Sequence, residues 1–169
     1  MPTEKLTFDA SYNYRYSEVD NTETTVIPMQ KEITTKSLKC SVRYALYYNL
    51  TLGTRIDYKI SEPAGSRGGL LLQDITYRLR QFPVTVWLRY CIFNTDDWDS
   101  RIYIYENDLL NSFSIPALSG KGNRCYIMAE WKISDFAEVR IKYGLTALIE
   151  SGTSIENKKE FKIQLSIKL

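Results

Sequence analysis

Along most of this chain apolar and polar residues take turns one by one. In KLTFDASYNYRYS, Leu6, Phe8, Ala10, Tyr12, Tyr14 and Tyr16 fall on one side of an extended backbone. Thr7, Asp9, Ser11, Asn13, Arg15 and Ser17 fall on the other. Successive side chains of a strand point to opposite faces, so a period of two predicts a strand. The pattern recurs over about 36–47, 50–60, 70–80, 84–92, 125–132, 137–147 and 159–169. Short turns are predicted near Tyr48-Asn49, Pro83 and Ser134-Asp135. Longer loops are predicted at 18–35, 61–69, 94–122 and 149–158. No helix, repeat or internal linker is predicted, and 169 residues suit one domain.

Alternation alone does not say what covers the apolar face. A soluble barrel turns that face inward, whereas a membrane barrel turns it toward lipid. Strand length favours lipid: stretches of about 10–13 residues match a tilted bilayer crossing. The polar faces carry both signs of charge, Asp57, Asp74, Glu130 and Glu160 against Arg55, Lys59, Arg89 and Lys142. Such charges can pair inside a narrow lumen, although a solvated outer face would explain them equally well. The connections also alternate short and long, as in outer-membrane barrels. Parity sharpens this: if 101–116 spanned, the short turns would no longer share one end, so it is expected not to span. The chain is therefore expected to be all-β, a single domain over 1–169. The architecture expected is an antiparallel up-and-down transmembrane β-barrel of about eight long strands, outer-membrane type, with a long external loop at about 94–122.

Composition narrows the chemistry. There are 13 Tyr, 6 Phe and 3 Trp, which suits strands. Tyr16, Tyr58, Tyr90 and Trp131 are candidates for interfacial aromatic girdles near strand ends. The complete absence of His removes the commonest general base and metal ligand. Cys40, Cys91 and Cys125 are isolated and read as small apolar fillers. A net charge of +2 gives no argument for nucleic acid. No apolar run is long enough for a transmembrane helix. MPTEKLTFDA lacks the apolar core of a signal peptide, so an exported protein of this sequence is expected to have shed its leader, or the chain is a piece given its own start Met. Asp96, Asp97 and Asp99 in NTDDWDS are weak metal candidates, for calcium, but without EF-hand spacing; a polar loop explains them more simply. The run Gly65-Ser66-Arg67-Gly68-Gly69 lacks the ending of a phosphate loop and reads as a flexible connection, and 119–122 fails likewise. No catalytic residue and no cofactor site emerges.

The segments QDITYR, WLRY, DDWDSRIYIYEND and SFSIP, within 70–143, carry a resemblance. They are similar to the C-terminal β-barrel region of Bacteroidota outer-membrane proteins that contain a helix-hairpin-helix domain. The resemblance implies a piece of a longer protein, with no catalytic role attached to the matching runs. The helix-hairpin-helix domain itself lies outside this chain, so DNA binding is not carried over. The last strand, KEFKIQLSIKL, resembles the terminal strand that barrel-assembly machinery recognises, with Leu169 where Phe is usual.

The expected function is a non-enzymatic anchor or interaction module in the bacterial outer membrane. Its lumen would be filled by side chains, its partners lipid and proteins met through external loops. One alternative is a soluble lipocalin-like barrel binding an apolar ligand. The other is a barrel enzyme acting on envelope lipids.

Overall fold

The computed structural model describes residues 5–21, 29–149 and 155–168. They form ten strands: β1 (Lys5–Asn21), β2 (Met29–Tyr47), β3 (Leu50–Glu62), β4 (Ser66–Arg78), β5 (Val84–Thr95), β6 (Ile102–Tyr103), β7 (Ala117–Leu118), β8 (Lys121–Lys132), β9 (Ala137–Ile149) and β10 (Ile155–Ile167). Eight of them make one antiparallel sheet in the order β1-β2-β3-β4-β5-β8-β9-β10, each strand beside its predecessor. β6 and β7 form a separate two-stranded ribbon.

The period-two pattern sets which way every side chain of the sheet faces. The register places Asp9, Ser41, Arg55, Leu72, Cys91, Arg124, Thr146 and Lys158 across one face from edge to edge. Arg124 and its neighbour on that face, Lys142, are buried, and Lys142 is 0% exposed. The opposite face presents the apolar set to the outside: Leu6 67%, Phe8 66%, Ile56 55%, Ile127 47% and Ile163 63% exposed. Folded domains ordinarily bury apolar side chains and leave charges in water. Here the arrangement is reversed.

The sheet is not a closed barrel. Among the described residues no register joins β1 to β10, so both are edge strands. Closure by eight strands was the sequence expectation, and it is not found among the described residues. The interior of an eight-stranded barrel is narrow, filled by side chains or one small ligand. Here residues 96–120 put backbone on the polar face. They form a long hairpin, with Ile102 opposite Leu118, Ile104 N–H donating to the Pro116 carbonyl (3.3 Å) and Glu106 bridged to Ser114. The hairpin does not cross as a strand of the main sheet, as parity required. It does not lie outside either. Ile104 and Glu106 are 0% exposed, so the expected external loop at 94–122 is corrected to an inserted tongue.

The tongue runs the full height of the sheet. Its base adjoins β3 and β4, where the Lys59 amine donates to the Asp99 carbonyl at 2.7 Å. Its tip, Leu110, exchanges hydrogen bonds with the Gln164 side chain of β10 at 2.7 and 3.3 Å, beside the 133–136 turn. Gly68 permits the close approach at the base: a Cβ there would overlap the Ser100 carbonyl oxygen. The run read as a flexible loop is thus mostly strand β4, needing glycine for proximity rather than mobility.

Several strand ends also differ from the sequence reading. β2 starts at Met29 rather than near 36, β4 at Ser66 rather than 70, and β8 at Lys121 rather than 125. The connections expected at 61–69 and 149–158 shrink accordingly. The contrast between the two ends of the sheet therefore rests chiefly on the tongue; 22–28 and 150–154 lie outside the described residues. Tyr90, expected near a strand end, sits in mid-β5 opposite Gln73 and Cys125.

Candidate functional site

The polar face has two halves, one occupied by the tongue and one open. On β4 and β5 the inward positions turn apolar: Leu70, Leu72, Cys91 and Phe93 pack with Ile102, Ile104 and Leu118 of the tongue. Burying each such side chain is worth about 1.5–3 kcal/mol. The Cys91 thiol is buried in this patch, which agrees with a filler role.

Farther down, the tongue replaces apolar side chains by carboxylates, and β8–β10 answer with cations. Arg124 grips Glu106 with a two-pronged contact, Nε–Oε1 2.6 Å and Nη2–Oε2 2.8 Å. Its third nitrogen, Nη1, donates to Thr146 Oγ1 at 2.7 Å. Lys142 Nζ lies 3.0 Å from Glu106 Oε2 and 5.0 Å from the centre of the Tyr126 ring. Lys162 Nζ reaches Asp108 Oδ2 at 2.9 Å and Glu160 Oε1 at 2.7 Å. Three carboxylates, Glu106, Asp108 and Glu160, face three cations, Arg124, Lys142 and Lys162, so the cluster is neutral. Removing ions from water costs several kcal/mol each, and only dense pairing offsets it. The sequence reading assigned Glu160 and Lys142 to the polar, inward set but singled out neither Arg124 nor the tongue carboxylates Glu106 and Asp108.

The electrostatics of the tongue follow from this packing. Burial pushes the Glu106 carboxyl up, but the Arg124 hydrogen bonds and the charges of Arg124 and Lys142 outweigh burial and hold it below the usual carboxylate range. Asp108 is likewise held low, its burial outweighed by the Lys162 hydrogen bond, the Leu109 amide and the nearby cations. Carboxyls depressed in the folded state bind fewer protons there than in the unfolded chain. The stability they contribute is complete above their ordinary range and lost as pH falls through the depressed values. The tongue is therefore expected to loosen on acidification below about pH 4 while the sheet persists. Protease cleavage within 98–119, followed against pH at constant ionic strength, checks this with an acid-stable protease. Resistance unchanged down to about pH 2 contradicts the assignment.

The three loop aspartates do not converge. Asp96 accepts a hydrogen bond from the Arg67 amide (2.9 Å). Asp97 accepts from the Ser100 amide (2.9 Å) and from the Ser66 hydroxyl. Asp99 contributes its backbone carbonyl to Lys59 and Ser61. Burial would raise the Asp97 carboxyl, but the Ser66 and Ser100 hydrogen bonds outweigh it and hold it low. These are loop-building roles that fix the base of the tongue. Among the described residues no group of three or more His, Cys, Asp or Glu is placed to hold a metal.

The other half of the polar face, on β1–β3, is not covered by the tongue. Two cavities lie between it and the tongue, about 560 Å³ near the tongue's base and about 480 Å³ lower down. The interior is therefore not packed solid with side chains. Comparison with protein-family models, with curated proteins and with solved structures found no match.

Proposed function

We propose that this chain is a wall segment of an outer-membrane β-barrel, acting as a non-enzymatic anchor and interaction module, with its apolar face against lipid and its polar face toward an aqueous interior. One observation carries the reading: side chains are sorted in the reverse of a soluble protein. Leu6, Phe8, Phe161, Ile163, Leu165 and Ile167 are each about three-fifths or more exposed, while Glu106 and Lys142 are fully enclosed. An apolar area of that kind on a monomer in water invites aggregation. In hydrocarbon it is the stable arrangement for the inner strands, whose backbone polar groups are satisfied by their neighbours, and the free edges of β1 and β10 would be met by further strands of the barrel. The strands of 12–19 residues exceed the roughly 9–11 needed for a tilted crossing, leaving their ends to project beyond the bilayer. Trp131, near the end of β8, and Tyr58, near the end of β3, suit the interfacial zone.

A soluble lipocalin-like barrel would need its apolar set inside, and the inward face is ionic except at the Leu70, Leu72, Cys91 and Phe93 patch under the upper tongue. Partners would be met at the mouth formed by the tongue's base, where Trp98 and Tyr103 are exposed. The test is folding against solvent. Chain unfolded in urea is diluted into phosphatidylcholine vesicles or into buffer alone. Native β-structure and protection of the strands from protease are expected only with vesicles. Formation of a monomeric, protease-resistant fold in buffer alone overturns the reading.

A further inference from the structure

We propose that the open half of the polar face, between the tongue and β1–β3, is a binding site for small ring-bearing anions of the carboxylated or phosphorylated sugar class. The proposal does not depend on what surrounds the outer face, because it uses only the inward face and the tongue.

Charge is concentrated there. Arg15, Lys39, Lys59 and Arg101 line the upper cavity together with Asp57 and Asp99. Arg43, Arg55 and Arg89 line the lower one together with Asp74. That is seven cations against three carboxylates on two adjoining walls, in a chain whose 22 basic and 20 acidic residues otherwise nearly balance.

The carboxylates are mostly engaged. Asp57 is buried and held by Arg55, and Asp74 is gripped by Arg89 at 2.5 and 2.9 Å. Among the described residues Arg15, Lys39, Arg43, Lys59 and Arg101 have no carboxylate within ion-pair distance. The inner face of β8–β10 provides the contrast, since every cation of the ionic cluster there is matched. Unmatched cations lining the same open groove repel one another, and an anion binding between them relieves that repulsion.

The upper cavity also offers a ring surface. Arg101 is fixed in place: Nε donates to Tyr103 Oη at 2.6 Å and Nη1 to the Trp98 carbonyl at 2.6 Å. Its guanidinium lies over the Trp98 ring at 4.5 Å. It also lies 5.3 Å from the centre of the Tyr103 ring, so it covers one side of each ring; Nη2 has no hydrogen-bond partner among the described residues, and both aromatic side chains remain exposed. A fixed guanidinium favours a planar or tetrahedral anion, and an adjacent aromatic face favours the apolar face of a sugar ring. The volume of about 560 Å³ is of the size that holds a mono- or disaccharide.

Full-length chain folded in detergent micelles is titrated with glucose 6-phosphate and with galacturonate, against neutral glucose and inorganic phosphate, by calorimetry and Trp fluorescence. Both anionic sugars are expected to bind in the millimolar range or tighter, weakening as salt rises, with glucose showing no heat. Inorganic phosphate is expected to bind more weakly than glucose 6-phosphate. The double variant R15Q/K39Q, which alters only exposed side chains, should weaken binding about tenfold with an unchanged circular dichroism spectrum. The W98F variant should remove the fluorescence response from the upper cavity, leaving only that of Trp87 in the lower one, and weaken the sugars more than phosphate. Binding of glucose equal to its phosphate, no binding of either anion, or R15Q/K39Q binding like the parent chain each overturns the proposal. Phosphate binding as well as its sugar ester overturns the sugar class.

Discussion

Ile127→Arg is expected to weaken the folded protein in vesicles by about 2–4 kcal/mol, the cost of a cationic side chain near the midplane of a membrane barrel. Ile127 lies centrally in β8, between Leu88 and Tyr143 on its neighbours, and its side chain points outward, 47% exposed. In water the same change replaces a half-exposed apolar group by a charged one and should be neutral or improve solubility. The two outcomes differ in sign, which makes this substitution more informative than truncation to Ala. Reversible guanidinium unfolding from vesicles is the measurement. A companion change at Lys132, at the end of the strand and already charged, should show little effect. No loss of stability with Ile127→Arg would place the outer face in water.

Glu106→Gln is the second large effect, and it acts on the opposite face. The carboxylate satisfies Arg124 and Lys142 together, and all three are at or near zero exposure. The amide removes the charge and leaves Arg124 with Glu160 at 3.3 Å and Lys142 with Asp108 at 3.8 Å, both of which Lys162 also engages, so the cluster is one carboxylate short. Removing one member of a buried ion pair costs about 3–5 kcal/mol, because the partner stays charged without compensation. That loss should appear as release of the tongue rather than as collapse of the sheet, since the β5–β8 ladder does not involve Glu106. Rapid protease cleavage within 98–119 with retained strand signal is the expected result. Replacing Glu106 and Arg124 together by Leu or Met should restore much of the resistance, because Asp108 and Glu160 then face Lys142 and Lys162 and the cluster is neutral again. If Glu106→Gln leaves cleavage as slow as in the parent chain, the ionic cluster does not hold the tongue.

The facing of each strand was legible because it needs only parity. Once Phe8 and Tyr12 share a side, hydrogen-bonded register carries the same assignment across all eight strands. Strand ends were less legible. QKEITTK carries too few apolar residues to show a period, yet it extends β2, because its partner residues in β1 continue past Tyr16 to Asn21. Ser66–Gly69 read as a loop because glycine is common in loops, and the reason for Gly68 lies on the tongue, thirty-two residues later in the chain. The tongue itself left one overlooked mark. LLLQ at 70–73, with Cys91 and Phe93 opposite, makes two strands apolar on both faces at one end only. A polar interior has no use for such a patch unless something apolar lies on it. The pairing of Glu106 with Arg124 and Lys142 left no mark, because ion pairing between distant segments has no period to read.

The tongue enters and leaves the wall at one point. Asn94 pairs with Lys121, and Thr95 and Gly120 are joined by hydrogen bonds of 2.9 and 2.8 Å. Twenty-five residues are thus inserted through a gap that a tight turn would fill, and their removal would break no rung between β5 and β8. Contents and container are separable in this architecture: the insert can lengthen, shrink or change its chemistry while the surface that meets the surroundings stays as it is.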